Sequence, residues 1–139
     1  MRRDPALVPL SHDHHRTLAR ARALRRAATG EPAAAQDAAV AFAAHFDAEM
    51  APHFAAEERL LLPLLGPEHP FAARTLAEHA EIRARVDALR RAATPDDLAA
   101  LGRLVAAHVR FEEREAFEEV QRRADPAALQ AVARGLAER

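Results

Sequence analysis

HFAAEERLLLPLL, residues 53–65, sets a histidine and a glutamate four positions apart, His53 and Glu57, directly ahead of five leucines. On a helix, residues three and four apart share a face. Phe42, Phe46, Met50, His53, Glu57, Leu60, Leu61 and Leu64 then form the buried line of one helix, with two ionisable groups in its middle. HVRFEEREAFE, residues 108–118, repeats the pattern. There the line runs Leu98, Leu101, Val105, His108, Glu112, Ala116, Val120, and a second His-x3-Glu pair interrupts it.

Gly and Pro punctuate the chain between such lines: TGEP at 29–32, GPEHP at 66–70, TPDD at 94–97 and ADP at 124–126. These breaks predict helices over about 10–28, 33–64, 70–92 and 95–123, with a short tail helix over about 126–137. The first helix carries Leu7, Leu10, His14, Leu18 and Ala21 on its inward line, the third Leu76, His79, Ile82, Val86 and Leu89. No segment has the alternation of a strand, and short connections favour antiparallel neighbours. The expected fold is all-α, an up-down-up-down antiparallel four-helix bundle with a short C-terminal helix. Pro52 falls inside the second helix, where it should kink or bulge the chain. Leu129, Val132 and Leu136 give the tail an apolar face that a homodimer could use.

At 139 residues the chain is read as one domain, burying roughly two thirds of the surface its unfolded form exposes. There is no Cys, which excludes disulfides, thiolate catalysis and Fe–S clusters. The net charge of −1, with basic and acidic residues interspersed, gives no pull toward nucleic acid or an anionic membrane. No run approaches the roughly 20 apolar residues of a membrane span, and a cytoplasmic location is the default expectation.

An unpartnered carboxylate in an apolar core costs several kcal/mol or takes up a proton. A bound cation reverses that, because deprotonated carboxylate and neutral imidazole are what a metal needs. Measured from the shared end of an antiparallel bundle at 1.5 Å per residue, His14, His53, Glu57, His79, His108 and Glu112 fall roughly 6 to 22 Å deep, close enough to meet in one layer. His69 is expected at the surface, His12, His15 and His45 at the surface or behind the ligands, and Glu58 and Glu113 in solvent. An all-His/carboxylate set suits Fe, Mn, Zn or Cu, and two Glu able to bridge plus four His fit a dinuclear centre.

DHHRTL at 13–18, HFAAEERLLLP at 53–63, LAEHAEIR at 76–83 and HVRFEEREAF at 108–117 together resemble the hemerythrin-like, or HHE cation-binding, domains. The resemblance implies a single domain over 1–139, with its bundle at about 10–123, around a non-haem di-iron centre with an oxo or hydroxo bridge. Mn or Zn are the alternative metals. It also implies His14, His53, Glu57, His79, His108 and Glu112 as ligands, with Glu57 and Glu112 bridging, and dioxygen, peroxide or nitric oxide as the small ligand. The family's oxygen carriers have two histidines four apart on the third helix. Here Thr75 and Arg83 flank His79 at that spacing, which argues against a reversible carrier.

Three functions fit the sequence: a protein that binds or senses these small molecules, a peroxidase-like or nitric-oxide-handling oxidoreductase, and a metal-free structural bundle. The absence of Tyr, Trp and Cys leaves no local radical or thiol relay, so binding or sensing is preferred to catalysis and no catalytic residue is assigned. A sensor of this length would have to signal through a partner.

Overall fold

Proline opens every helix of the protein, whose computed structural model describes all 139 residues. We number the helices α1 (Val8–Ala27), α2 (32–65), α3 (Pro70–Arg91), α4 (95–123) and α5 (Pro126–Ala137). A proline at the first or second helical position lacks only an N–H that would have no partner there. Three of the starts are also capped by side chains. Thr94 Oγ1 accepts from the Asp97 N–H at 3.2 Å, Asp125 Oδ1 from Ala128 at 2.8 Å, and His69 Nδ1 from Phe71 at 3.0 Å. His69, expected at the surface, is half-buried by this role and by its contact with Glu119. Gly66, at φ 92°, ends α2 in a conformation that other residues resist.

α2 and α4 contain π turns, at Phe46–Met50, Glu57–Leu61 and Glu112–Ala116. The N–H of Ala51 reaches back to Phe46, that of Leu62 to Glu57, and that of Phe117 to Glu112. Pro52 and Pro63 each stand two residues past the last residue of the first two. A proline has no N–H to bond and its ring crowds the carbonyl four residues back, so a wider turn relieves both problems. The third π turn has no proline, and the sequence offers no local reason for it.

Each wide turn absorbs one extra residue and resets the phase of the helix. Residues four apart therefore stay in line: Phe42, Phe46, Met50 and Phe54 are all buried, and so are His53, Glu57, Leu61 and Leu65. The inward line leaves Leu60 and Leu64 for Leu61 and Leu65. On α3 the inward residue is Thr75, with Leu76 48% exposed. On α1 it is Thr17, with Leu18 half-buried.

α1 packs on α2 and α4, and α3 packs on α2 and α4, closing an all-helical ring. Its core is divided in two. Ala21, Leu24, Phe42, Ile82, Leu98 and Val105 belong to one apolar cluster, and Leu7, Leu10, Leu61, Leu65, Phe117 and Val120 to the other. The six predicted His and Glu residues occupy the layer between them along each helix. α5 lies against the Glu57–Leu61 turn, with Val132 and Leu136 buried in the second cluster. The tail's apolar face is thus covered by its own chain, not left for a homodimer. No helix is long and apolar enough to cross a membrane.

Candidate metal centre

Four helices contribute one histidine each to the polar layer: His14 from α1, His53 from α2, His79 from α3 and His108 from α4. Two glutamates join them, Glu57 and Glu112, each the first residue of a π turn. All six are at most 4% exposed. Their ligand atoms form two overlapping groups, His14/His53/Glu57/Glu112 and His79/His108/Glu57/Glu112, within each of which the atoms lie no more than 4.8 Å apart. The glutamates are common to both groups. His14 enters the layer while His15 is exposed.

His53 Nε2 lies 3.0 Å from Glu57 Oε2, His79 Nε2 3.2 Å from Glu57 Oε1, and His108 Nε2 3.2 Å from Glu112 Oε1. Yet these three nitrogens and both Glu57 oxygens make no hydrogen bond, because the atoms are near without being aligned for one. They account for five of the six buried side-chain polar atoms without a partner. Native cores leave very few such atoms. Their convergence on shared space fits a cation site.

The opposite ring nitrogens are all engaged. His53 Nδ1 meets Asp13 at 2.9 Å, and His79 meets Glu58, His108 meets Glu78 and His14 meets Glu113, each at 2.7 Å. The order is cyclic: α1 supplies the carboxylate for α2's histidine, α2 for α3's, α3 for α4's and α4 for α1's. Each acid is also the immediate chain neighbour of an inward residue, so one backbone segment places an inward side chain and steadies the next helix's histidine. A carboxylate on Nδ1–H fixes the tautomer, turns the Nε2 lone pair inward and raises its basicity. Glu58 and Glu113, expected in solvent, are part of this outer ring. Asp13 and Glu78 were not foreseen in any role.

Phe54, one residue past His53, stacks on His79 at 3.7 Å between ring centres with planes 9° apart. Phe117 stacks on His14 at 5.5 Å and 11°. These aromatics close the layer on either side. His45 is buried but separate from the centre, bonded to Thr17 Oγ1 at 3.0 Å.

Electrostatics couple the inner and outer groups. Burial opposes protonation of His53, but the charge of Glu57 and the bond to Asp13 override it and push the imidazole up to about 10. Burial likewise opposes His108, and Glu112 and Glu78 push it up to about 10. Burial favours a neutral Glu112, yet His108 and His14 hold it well below the usual carboxylate range. Burial also works to raise Asp13, which His53 and Arg139 bring down to about 2.

Raised histidines stabilise the fold fully below pH 6.5 and lose that contribution as pH climbs through about 10. Asp13 contributes fully above 3.8 and loses its share as pH falls through about 2. Denaturant titrations of chelator-treated protein should therefore show greatest stability from about pH 4 to 6.5 and a decline by about pH 9. A rise over that alkaline range would mean that the histidines enter the core neutral.

No curated protein and no solved structure shows detectable similarity to the chain. Among the inward atoms only His14 Nε2 and Glu112 Oε1 are hydrogen-bonded, at 3.0 Å; the unpartnered atoms of His53, Glu57, His79 and His108, with every outer ring nitrogen held by a carboxylate, fit a metal-binding site. The model of the hemerythrin HHE cation-binding domain matches residues 7–120, and the chain belongs to that family.

Proposed function

We propose that the protein is a non-haem di-iron protein that binds, senses or handles dioxygen, peroxide or nitric oxide. The observation that carries the proposal is the pair of four-residue groups sharing Glu57 and Glu112, with the inward atoms of Glu57, His53, His79 and His108 unbonded. In this reading His14 and His53 hold one iron, His79 and His108 the other, and the two glutamates reach both. We also read residues 1–139 as one domain whose ring runs up-down-up-down, because the connections at 28–31, 66–69 and 92–94 are too short for a crossover.

The donor set supports iron. Four imidazoles and two carboxylates without thiolate form a mixed, borderline set, and they exceed the four positions of a structural zinc site. Two anionic glutamates are offset by cations, while each outer carboxylate has its own arginine within 4.0 Å. An iron pair would supply redox chemistry and coordination for a small oxidant. The chain supplies orientation through the outer carboxylates and exclusion of water through Phe54 and Phe117. With all six residues buried, only a small ligand suits the site.

Protein purified in air is expected to hold about two irons per chain and to show oxo-to-iron charge-transfer absorption. Folded protein that takes up no iron would overturn the proposal. Mixed anaerobically with peroxide, the reduced protein should oxidise once. Repeated consumption would instead establish the oxidoreductase reading.

A further inference from the structure

The two halves of the centre are secured differently. Around the His79/His108 half, Glu58 is paired with Arg83 at 3.2 Å and Glu78 with Arg74 at 2.9 Å. Both arginines stand on α3, and their side chains are 43% and 47% exposed. Ion pairs in that much water hold little.

Around the His14/His53 half, Arg16 of α1 meets Asp13 at 2.8 Å with its side chain 54% exposed, but the two better-buried arginines come from outside the ring. Arg139, beyond α5, reaches Asp13 Oδ2 at 2.7 Å, and Arg3, ahead of α1, reaches Glu113 at 3.5 Å. Their side chains are only 24% and 18% exposed. Arg3 also donates to Gln121 Oε1 at 3.1 Å and lies over Phe117, the ring stacked on His14. Both arginines fall outside residues 7–120, the part of the chain that matches the family.

α5 is fitted closely to its place. Val132 and Leu136 are buried, and a Cβ added at Gly135 would come within 2.7 Å of Leu60 Cδ2. Leu60 belongs to the π turn that begins with Glu57. Seating α5 thus brings Arg139 to Asp13, at a cleft of about 280 Å3 that Asp13, Arg16, Glu49, Pro52 and Arg139 line. Pro52 faces this cleft. With Arg139 gone, the cleft would leave Asp13 to Arg16, whose side chain is 54% exposed.

We infer that Arg139, delivered by α5, is a positioning residue for the His14/His53 half of the centre. It holds Asp13 so that Asp13 holds His53, and one of the two cations is thereby retained by a helix the other does not need. Arg3 plays the matching part on Glu113 and His14. The inference rests on the two-iron reading proposed above.

The test follows iron leaving the loaded, reduced protein into a colorimetric ferrous chelator. Loss of an outer-ring partner costs metal sites about 10–100-fold, and Arg139 acts one step further out. Arg139→Ala should therefore speed release of one iron by about 10-fold at the lower end of that range and leave the other rate unchanged. Arg139→Lys should largely restore the slow rate. Asp13→Asn should give the same fast phase, with Arg139→Ala adding nothing in that background. Acceleration of both irons, with a fall in Tm, would mean general loosening and overturn the inference, as would no change or additivity with Asp13→Asn. Wild-type protein that loads fewer than two irons would overturn the two-iron reading itself, before any variant is compared.

Discussion

Glu57→Ala and Glu112→Ala are each expected to abolish binding of both irons, whereas His79→Ala should remove one and leave the His14/His53 half able to load. The difference follows from sharing, since each glutamate belongs to both four-residue groups and each histidine to one. Glu58→Ala should be intermediate. It leaves every inward atom in place but frees His79 Nδ1, which Glu58 holds at 2.7 Å, and such outer partners are worth about 10–100-fold in affinity. Iron per chain after desalting separates the three classes, and titration under competition from a chelator measures the intermediate one. Glu112→Ala protein that keeps two irons would show that the halves do not share this carboxylate.

Ionisable groups on a core line were the signal that found the centre. His53/Glu57 and His108/Glu112 could be read because Phe, Met, Val and Leu before and after them leave no solvent-facing alternative at that spacing. Proline, glycine and the Thr94 cap set the helix ends for reasons of backbone chemistry alone, so those too were legible. What lay beyond reach was the phase of α2 after its π turns. An ideal helix sends Leu60 and Leu64 inward, but the turn at Glu57–Leu61 passes that place to Leu61 and Leu65. Pro63 was the available clue, acting on its turn as Pro52 acts on the one before.

The outer carboxylates were missed for a different reason. Glu58 and Glu113 follow inward glutamates, and a single helix turns such neighbours about 100° away, toward solvent. That inference holds for an isolated helix. In the ring, the flank of one helix is the wall of the next, so Glu58 meets His79 and Glu113 meets His14. The recurring signal was an acid adjacent in sequence to one inward residue on each helix: Asp13 with His14, Glu58 with Glu57, Glu78 with His79 and Glu113 with Glu112. Four such doublets on four helices have no use as surface charges that would explain their coincidence.

Phe54→Ala should be the most damaging change outside the ligands. The ring is 2% exposed, and truncating a buried phenylalanine costs about 3–5 kcal/mol through lost transfer energy and the cavity left behind. For a chain of this size that corresponds to a fall in Tm of roughly 10–15 °C. Position makes the loss larger than packing alone. Phe54 belongs to the apolar cluster yet also stacks on His79 and meets His53 and His108 edge-on, at 6.3 and 5.8 Å between ring centres. The same side chain thus seals the dry layer and braces three of the four imidazoles. A cavity there would admit water beside carboxylates whose pairing depends on its exclusion. Phe54→Leu restores most of the volume but not the flat face against His79, and it should recover much of the stability of the chelator-treated protein. Comparing iron-loaded and chelator-treated forms separates the two roles. A ring that only fills space lowers the stability of both forms equally, while a ring that also holds ligands lowers the loaded form more, because weakened metal binding adds to the packing loss. The larger fall is expected in the loaded form, and equal falls would confine Phe54 to the core.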